Sequence, residues 1–154
     1  MFISGCQHGD VRAKERRFLH DPLFMTTQAS NMTHWTTSSI PPQHGRTAVV
    51  TGTGGLGFED AAALARAGAN VIIAGRNPTK GADAVARIRQ GVPEAHVRFM
   101  ALDLASLDSI AAFGENLRHS LDRVDVLINN AAVMTPPYRQ VTADGFELQF
   151  GTNH

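Results

Sequence analysis

Thr47-Ala-Val-Val-Thr-Gly-Thr-Gly-Gly-Leu-Gly57 reads as a short apolar strand that empties into a glycine-rich turn and then a helix. Such a junction cradles a dinucleotide pyrophosphate, because bare backbone N–H groups and the positive helix end face the anion. Within it, Gly52-Thr-Gly-Gly-Leu-Gly57 fits G-x-G-x-x-G. That pattern is weak alone and gains weight from the strand before it and the helix after it. The helix is expected over residues 56–67, with Leu56, Ala63, Leu64 and Ala67 on one face and Gly68 ending it. Asn70-Val-Ile-Ile-Ala74 is the next strand.

The alternation continues downstream. Residues 78–90 predict a helix with Ala82, Val85, Ala86 and Arg89 at helical spacing, stopped by Gly91-Val-Pro93. Residues 96–102 predict a third strand. Ser106 is placed to cap a helix that presents Ile110, Phe113 and Leu117 on one face, and residues 124–129 make a fourth strand. A last helix is expected to open near Asp144, with Glu147 three residues on as in a capping box. Strands linked by helices in the order β-α-β-α-β-α-β go parallel, with helices on both faces. The expected class is therefore α/β: a Rossmann-like doubly wound parallel sheet, truncated after the fourth strand. Residues 1–46 carry no persistent period and are expected to be an irregular extension, with residues 47–154 a partial dinucleotide-binding domain. The basic cluster Arg12, Lys14, Arg16 and Arg17 reads as solvated.

Composition narrows the function. The 154 residues carry 14 Lys+Arg against 14 Asp+Glu, so no net charge draws the chain to nucleic acid or an anionic membrane. No stretch is long enough to span a bilayer. One cysteine permits no internal disulfide, and a cytoplasmic location is the default expectation. The seven histidines show no i, i+3 or i+4 ligand spacing, so no metal site is expected.

At the end of the second strand, where an acid usually accepts hydrogen bonds from the adenosine ribose, stands Arg76. A guanidinium there can grip a 2′-phosphate bidentately, which favours NADP(H) over NAD(H) as cofactor.

Thr51-Gly-Thr-Gly-Gly-Leu-Gly57, Leu102-Asp-Leu104, Asn129-Asn-Ala-Ala132 and Ala143-Asp-Gly-Phe-Glu-Leu-Gln-Phe-Gly-Thr-Asn-His154 occur in this order. In this the chain resembles the short-chain dehydrogenase/reductase family, most closely the branch of retinol-dehydrogenase-like and WW-domain oxidoreductase-like enzymes. The resemblance implies hydride transfer between a nicotinamide and an alcohol or carbonyl. It also implies cofactor contacts from Gly52, Gly55, Leu56 and Gly57, with Asp103 and Leu104 at the adenine. Asn130, Ala131 and Ala132 would lie near the cofactor ribose, Asn129 would tie the central strands, and Asn153 would match the asparagine among the family's four catalytic residues.

Three departures stand out. Only Thr53 and Gly54 separate Gly52 from Gly55, one residue fewer than the family turn holds. Ala132 replaces the glycine common at the end of the Asn-Asn-Ala-Gly motif. The sole tyrosine, Tyr138, is followed four residues later by Thr142, and both lysines, Lys14 and Lys80, precede it. The family's catalytic serine and Tyr-x-x-x-Lys therefore have no counterpart here. The expected function is the N-terminal, cofactor-binding part of an NADP-dependent oxidoreductase, catalytically incomplete. The alternatives are a non-catalytic dinucleotide-binding module or one half of a split enzyme. A fourth strand without its neighbour is further expected to leave an apolar edge open to self-association.

Overall fold

The computed structural model describes residues 34–154, so the N-terminal basic cluster lies outside the described residues. The chain divides into two units, Met1–Trp35 and Thr36–His154, and the second holds every element below. These are β1 (Thr47–Thr51), α1 (Gly55–Arg66), β2 (Asn70–Gly75), α2 (Pro78–Gly91), β3 (Val97–Ala101), α3 (Leu107–Ser120), β4 (Val126–Ile128) and α4 (Leu148–Asn153).

The four strands form one parallel sheet in the order β3-β2-β1-β4. In register, Val49 lies between Ile72 and Leu127, and Ile73 pairs with Phe99. Side chains alternate across a strand, and both faces are covered. Val50, Val71 and Ile73 pack with Ala61, Ala62 and Ala65 of α1 and Ala84 and Ile88 of α2. Val49, Ile72 and Ala74 pack on the other face with Leu102, just after β3, and with Phe113 of α3. Burial on both sides explains the unbroken apolar runs of β1 and β2. The chain moves outward from β1 through β2 to β3 and then returns past β1 to β4, so the order reverses between β1 and β4. Open sheets of this kind bind ligands outside the carboxyl ends of the strands at that reversal.

Several expectations need correction. The compact unit reaches back beyond the boundary expected at residue 47. Gln43 is buried, its N–H donates to the Ala67 carbonyl (2.7 Å), and Asn70 N–H donates to the Arg46 carbonyl (2.9 Å). Leu56 is not on the buried face of α1, which is made of Gly57, Ala61, Ala62, Ala63 and Ala65, but is 77% exposed. The inward face of α2 is Gly81, Ala84 and Ile88 with Val85 packed beside them, whereas Ala82 and Ala86 are exposed and the Arg89 guanidinium reaches the Val97 carbonyl of β3 (2.8 Å). Gly81 decides this rotation: a Cβ there would come within 2.1 Å of the Phe99 ring. On α3, Phe113 is buried and Leu117 partly so, whereas Ile110 is exposed. The last helix begins at Leu148. Glu147 caps it, accepting from Gln149 and Phe150 N–H (3.0 and 2.9 Å), while Asp144 accepts from Leu107 N–H at the start of α3 (2.9 Å). Ser106 caps α3 as expected, accepting from Ser109 N–H.

Candidate cofactor site

The site is built on the junction of β1 and β4. Thr51, the last residue of β1, is buried, and its hydroxyl accepts from the N–H groups of Asn130 and Ala131, both at 3.0 Å. The Asn130 amide donates to the Thr51 carbonyl at 2.9 Å. These bonds turn the chain after β4 across the end of β1. Asn130, not Asn129, ties the central strands.

That tie sets the demand for glycine. A Cβ on Gly57 would lie 2.4 Å from Asn130 Nδ2 and 3.3 Å from the Thr51 carbonyl oxygen, so only glycine lets α1 approach this closely. Gly52 is left-handed (φ +102°), and a Cβ there would meet the same amide at 2.7 Å. No side chain caps α1, whose first-turn N–H groups precede any intrahelical acceptor. The helix thus presents unpaired donors and the positive end of its dipole.

Two cavities open over the carboxyl ends of the strands. One, of about 300 Å³, is bordered by Arg76, Lys80, Asp103, Leu104, Ala132 and Thr152 among others. The second, of about 570 Å³, runs along Gly52, Thr53 and Gly54 to Asn130, Ala131 and Ala132. Lys80 borders both. Of the residues expected from sequence, Gly52, Arg76, Asp103, Leu104, Asn130, Ala131 and Ala132 therefore gather here. Gly55, Leu56, Gly57 and Asn153 border neither cavity. The Asn153 amide instead spans Val133, accepting from its N–H and donating to its carbonyl, both at 2.8 Å. Asp103 closes a local turn, its carboxylate accepting from Ala105 N–H at 2.9 Å.

Sequence reasoning missed Lys80. It lies in the first turn of α2, where Asn77 accepts from its backbone N–H (3.0 Å), and only the cavity brings it together with Arg76. Among the described residues the ion pairs are Arg87–Asp83, Arg118–Glu115, His119–Glu115 and Arg123–Asp125, which leaves Arg76 and Lys80 unpaired at the cavity mouth. Two free cations, an uncapped helix N-terminus and a glycine-lined groove suit a phosphate-bearing ligand. No three potential metal-ligating side chains gather among the described residues.

The short chain dehydrogenase family profile matches residues 46–154. The chain belongs to the short-chain dehydrogenase family. Human retinol dehydrogenase 13 is 47% identical over 111 residues, a match that covers 71% of this chain and 33% of that protein. An uncharacterized protein from Mycobacterium paratuberculosis has a solved structure 41% identical, with a TM-score of 0.67, covering 78% of this chain and 41% of that one. A metagenomic short-chain oxidoreductase solved in complex with NADP is 32% identical, with a TM-score of 0.56, covering 62% of this chain and 47% of that one. This short-chain dehydrogenase chain spans about a third of the length of the curated relatives it matches (37%, 35% and 33% of the first three). Among its described residues no helix is long and apolar enough to cross a membrane.

Proposed function

We propose that this chain holds NADP(H) as the cofactor-binding part of an oxidoreductase that moves hydride between a nicotinamide and an alcohol or carbonyl. The observation that carries the proposal is Arg76. It follows β2 directly, borders the first cavity, and has no acidic partner among the described residues. A guanidinium in that place attracts a 2′-phosphate, and Lys80 one turn on adds a second cation. Asp103 and Leu104 would flank the adenine, and the glycine turn with the α1 N-terminus would receive the pyrophosphate. Gly55, Leu56 and Gly57 contribute through backbone and close packing in this account, and Asn153 is a positioning residue for the segment after β4. NADP(H), when bound, supplies the hydride chemistry.

The chain's own residues bind and orient. The only tyrosine among these 154 residues has no lysine four residues on, so no proton-transfer role is assigned to Tyr138. The single cysteine accords with a cytoplasmic setting.

Charge-assisted hydrogen bonds contribute about 1.5–3 kcal/mol each. One such bond biases affinity about tenfold to hundredfold. Calorimetric titration of the purified chain and Arg76→Ala with NADPH and NADH is the test. NADPH is expected to bind more tightly to the native chain, and the ratio to collapse in the variant. An unchanged ratio discards the assignment.

A further inference from the structure

Thr152, in the last turn of α4, borders the first cavity together with Arg76, Asp103, Leu104, Ala132 and Val133. Its hydroxyl oxygen is buried and has no hydrogen-bond partner, the only such side-chain atom among the described residues. Buried hydroxyls are nearly always bonded, and an orphan calls for an explanation. A threonine within a helix ordinarily satisfies itself on the carbonyl three or four residues back. Here it does not.

The residue is also held firmly in place. The Asn153 amide makes two bonds to the Val133 backbone, and Gln149 accepts from Thr135 N–H at 2.9 Å. These bonds fix α4 against the segment after β4, so Thr152 stays in the cavity wall whatever its hydroxyl does. Threonine populates two side-chain rotamers in a helix, and a hydroxyl with no partner is not bound to either of them.

We infer that the Thr152 hydroxyl is a hydrogen-bond partner for the adenosine portion of the ligand. The inference rests on the dinucleotide proposal above and assigns to this residue a share of its specificity. The neighbours decide which end of the ligand it meets, since Asp103, Leu104 and Arg76 flank the same cavity. A hydroxyl both donates and accepts, so it can serve a ring nitrogen, the exocyclic amine or a ribose hydroxyl. The structural cost of the orphan falls on the free protein and is relieved on binding.

The experiment compares the full chain with Thr152→Val, Thr152→Ser and Thr152→Ala. Titrations use NADPH and adenosine 2′,5′-bisphosphate, alongside thermal unfolding of each unliganded protein. Thr152→Val is expected to lose about three- to tenfold in affinity for both ligands, with an unfolding midpoint equal to or above that of the native chain. Thr152→Ser is expected to stay within about twofold. Equal binding by the native and Val proteins overturns the inference, as does a loss confined to NADPH, which would move the contact to the nicotinamide end. Should the Val protein fail to fold, the Ser and Ala pair isolates the hydroxyl, and equal affinity of those two overturns it. A native chain that binds neither ligand overturns the dinucleotide proposal as well, which separates the two failures.

Discussion

Gly57→Ala tests how the cofactor site is held together. The new methyl would sit 2.4 Å from Asn130 Nδ2 and 3.3 Å from the Thr51 carbonyl oxygen. The backbone oxygen cannot yield, so the Asn130 amide must leave and give up its 2.9 Å bond to Thr51. Losing a largely buried hydrogen bond costs about 1–3 kcal/mol, and overpacking adds about 1–3 kcal/mol. With an m-value of about 2 kcal/mol/M, a combined loss of about 2–6 kcal/mol lowers the urea midpoint by about 1–3 M. Two neighbours provide the scale. Gly54 has an extended φ of −150° and open space around its would-be Cβ, so Gly54→Ala is expected within about 0.5 kcal/mol of the native chain. Gly55 also has open space but a φ of +56°, so Gly55→Ala is expected to cost about 1 kcal/mol in backbone strain alone. Urea unfolding followed by far-UV circular dichroism ranks the three. A Gly57→Ala protein as stable as the native chain, or a Gly54→Ala protein as weakened as Gly57→Ala, refutes the packing account.

Two further outcomes follow from the other end of the chain. Bonds from Gln149 N–H, Phe150 N–H and, to a lesser degree, the Arg139 charge hold the Glu147 carboxyl below its usual range. A depressed folded value means that the cap stabilises α4 above the unfolded pKa and is lost as pH falls through the folded value. The Gln149 and Phe150 amide resonances are therefore expected to titrate below the ordinary carboxylate range, and Glu147→Gln to flatten them; titration at or above that range contradicts the cap. Among the described residues β4 pairs on one side only, and its Leu127 is 59% exposed. Such an edge invites strand pairing, and lysine blunts it, so sedimentation is expected to show concentration-dependent association of the native chain that Leu127→Lys removes. A native chain that remains monomeric at every concentration counts against this.

The strand order and the glycine turn were legible because each rests on a local signal. A short, β-branched apolar run such as residues 71–74 between turn residues suits a strand buried on both faces, and Gly52 and Gly57 stand where a turn and a close approach require them. What escaped was decided by neighbours distant in sequence. Spacing grouped Ala82, Val85, Ala86 and Arg89 of α2, of which Val85 does pack against the core, but the Phe99 ring from β3 fills the space beside Gly81 and makes Gly81, Ala84 and Ile88 the buried residues. Asn129 and Asn130 are indistinguishable by composition. Only the Thr51 hydroxyl, across the sheet, selects Asn130. Leu56 reads as core on a helical wheel, yet it stands in the first turn of α1 and is exposed. Lys80 and Thr152 became candidates only when tertiary structure brought α2 and α4 to one cavity.

Backbone amide resonances followed through a titration with NADPH test the central claim most directly. The account predicts saturable shifts concentrated at Gly52–Gly57, Arg76, Lys80, Asp103, Leu104 and Asn130–Ala132, with smaller changes elsewhere. An absence of saturable shifts, or shifts confined to residues away from the carboxyl ends of the strands, would contradict it.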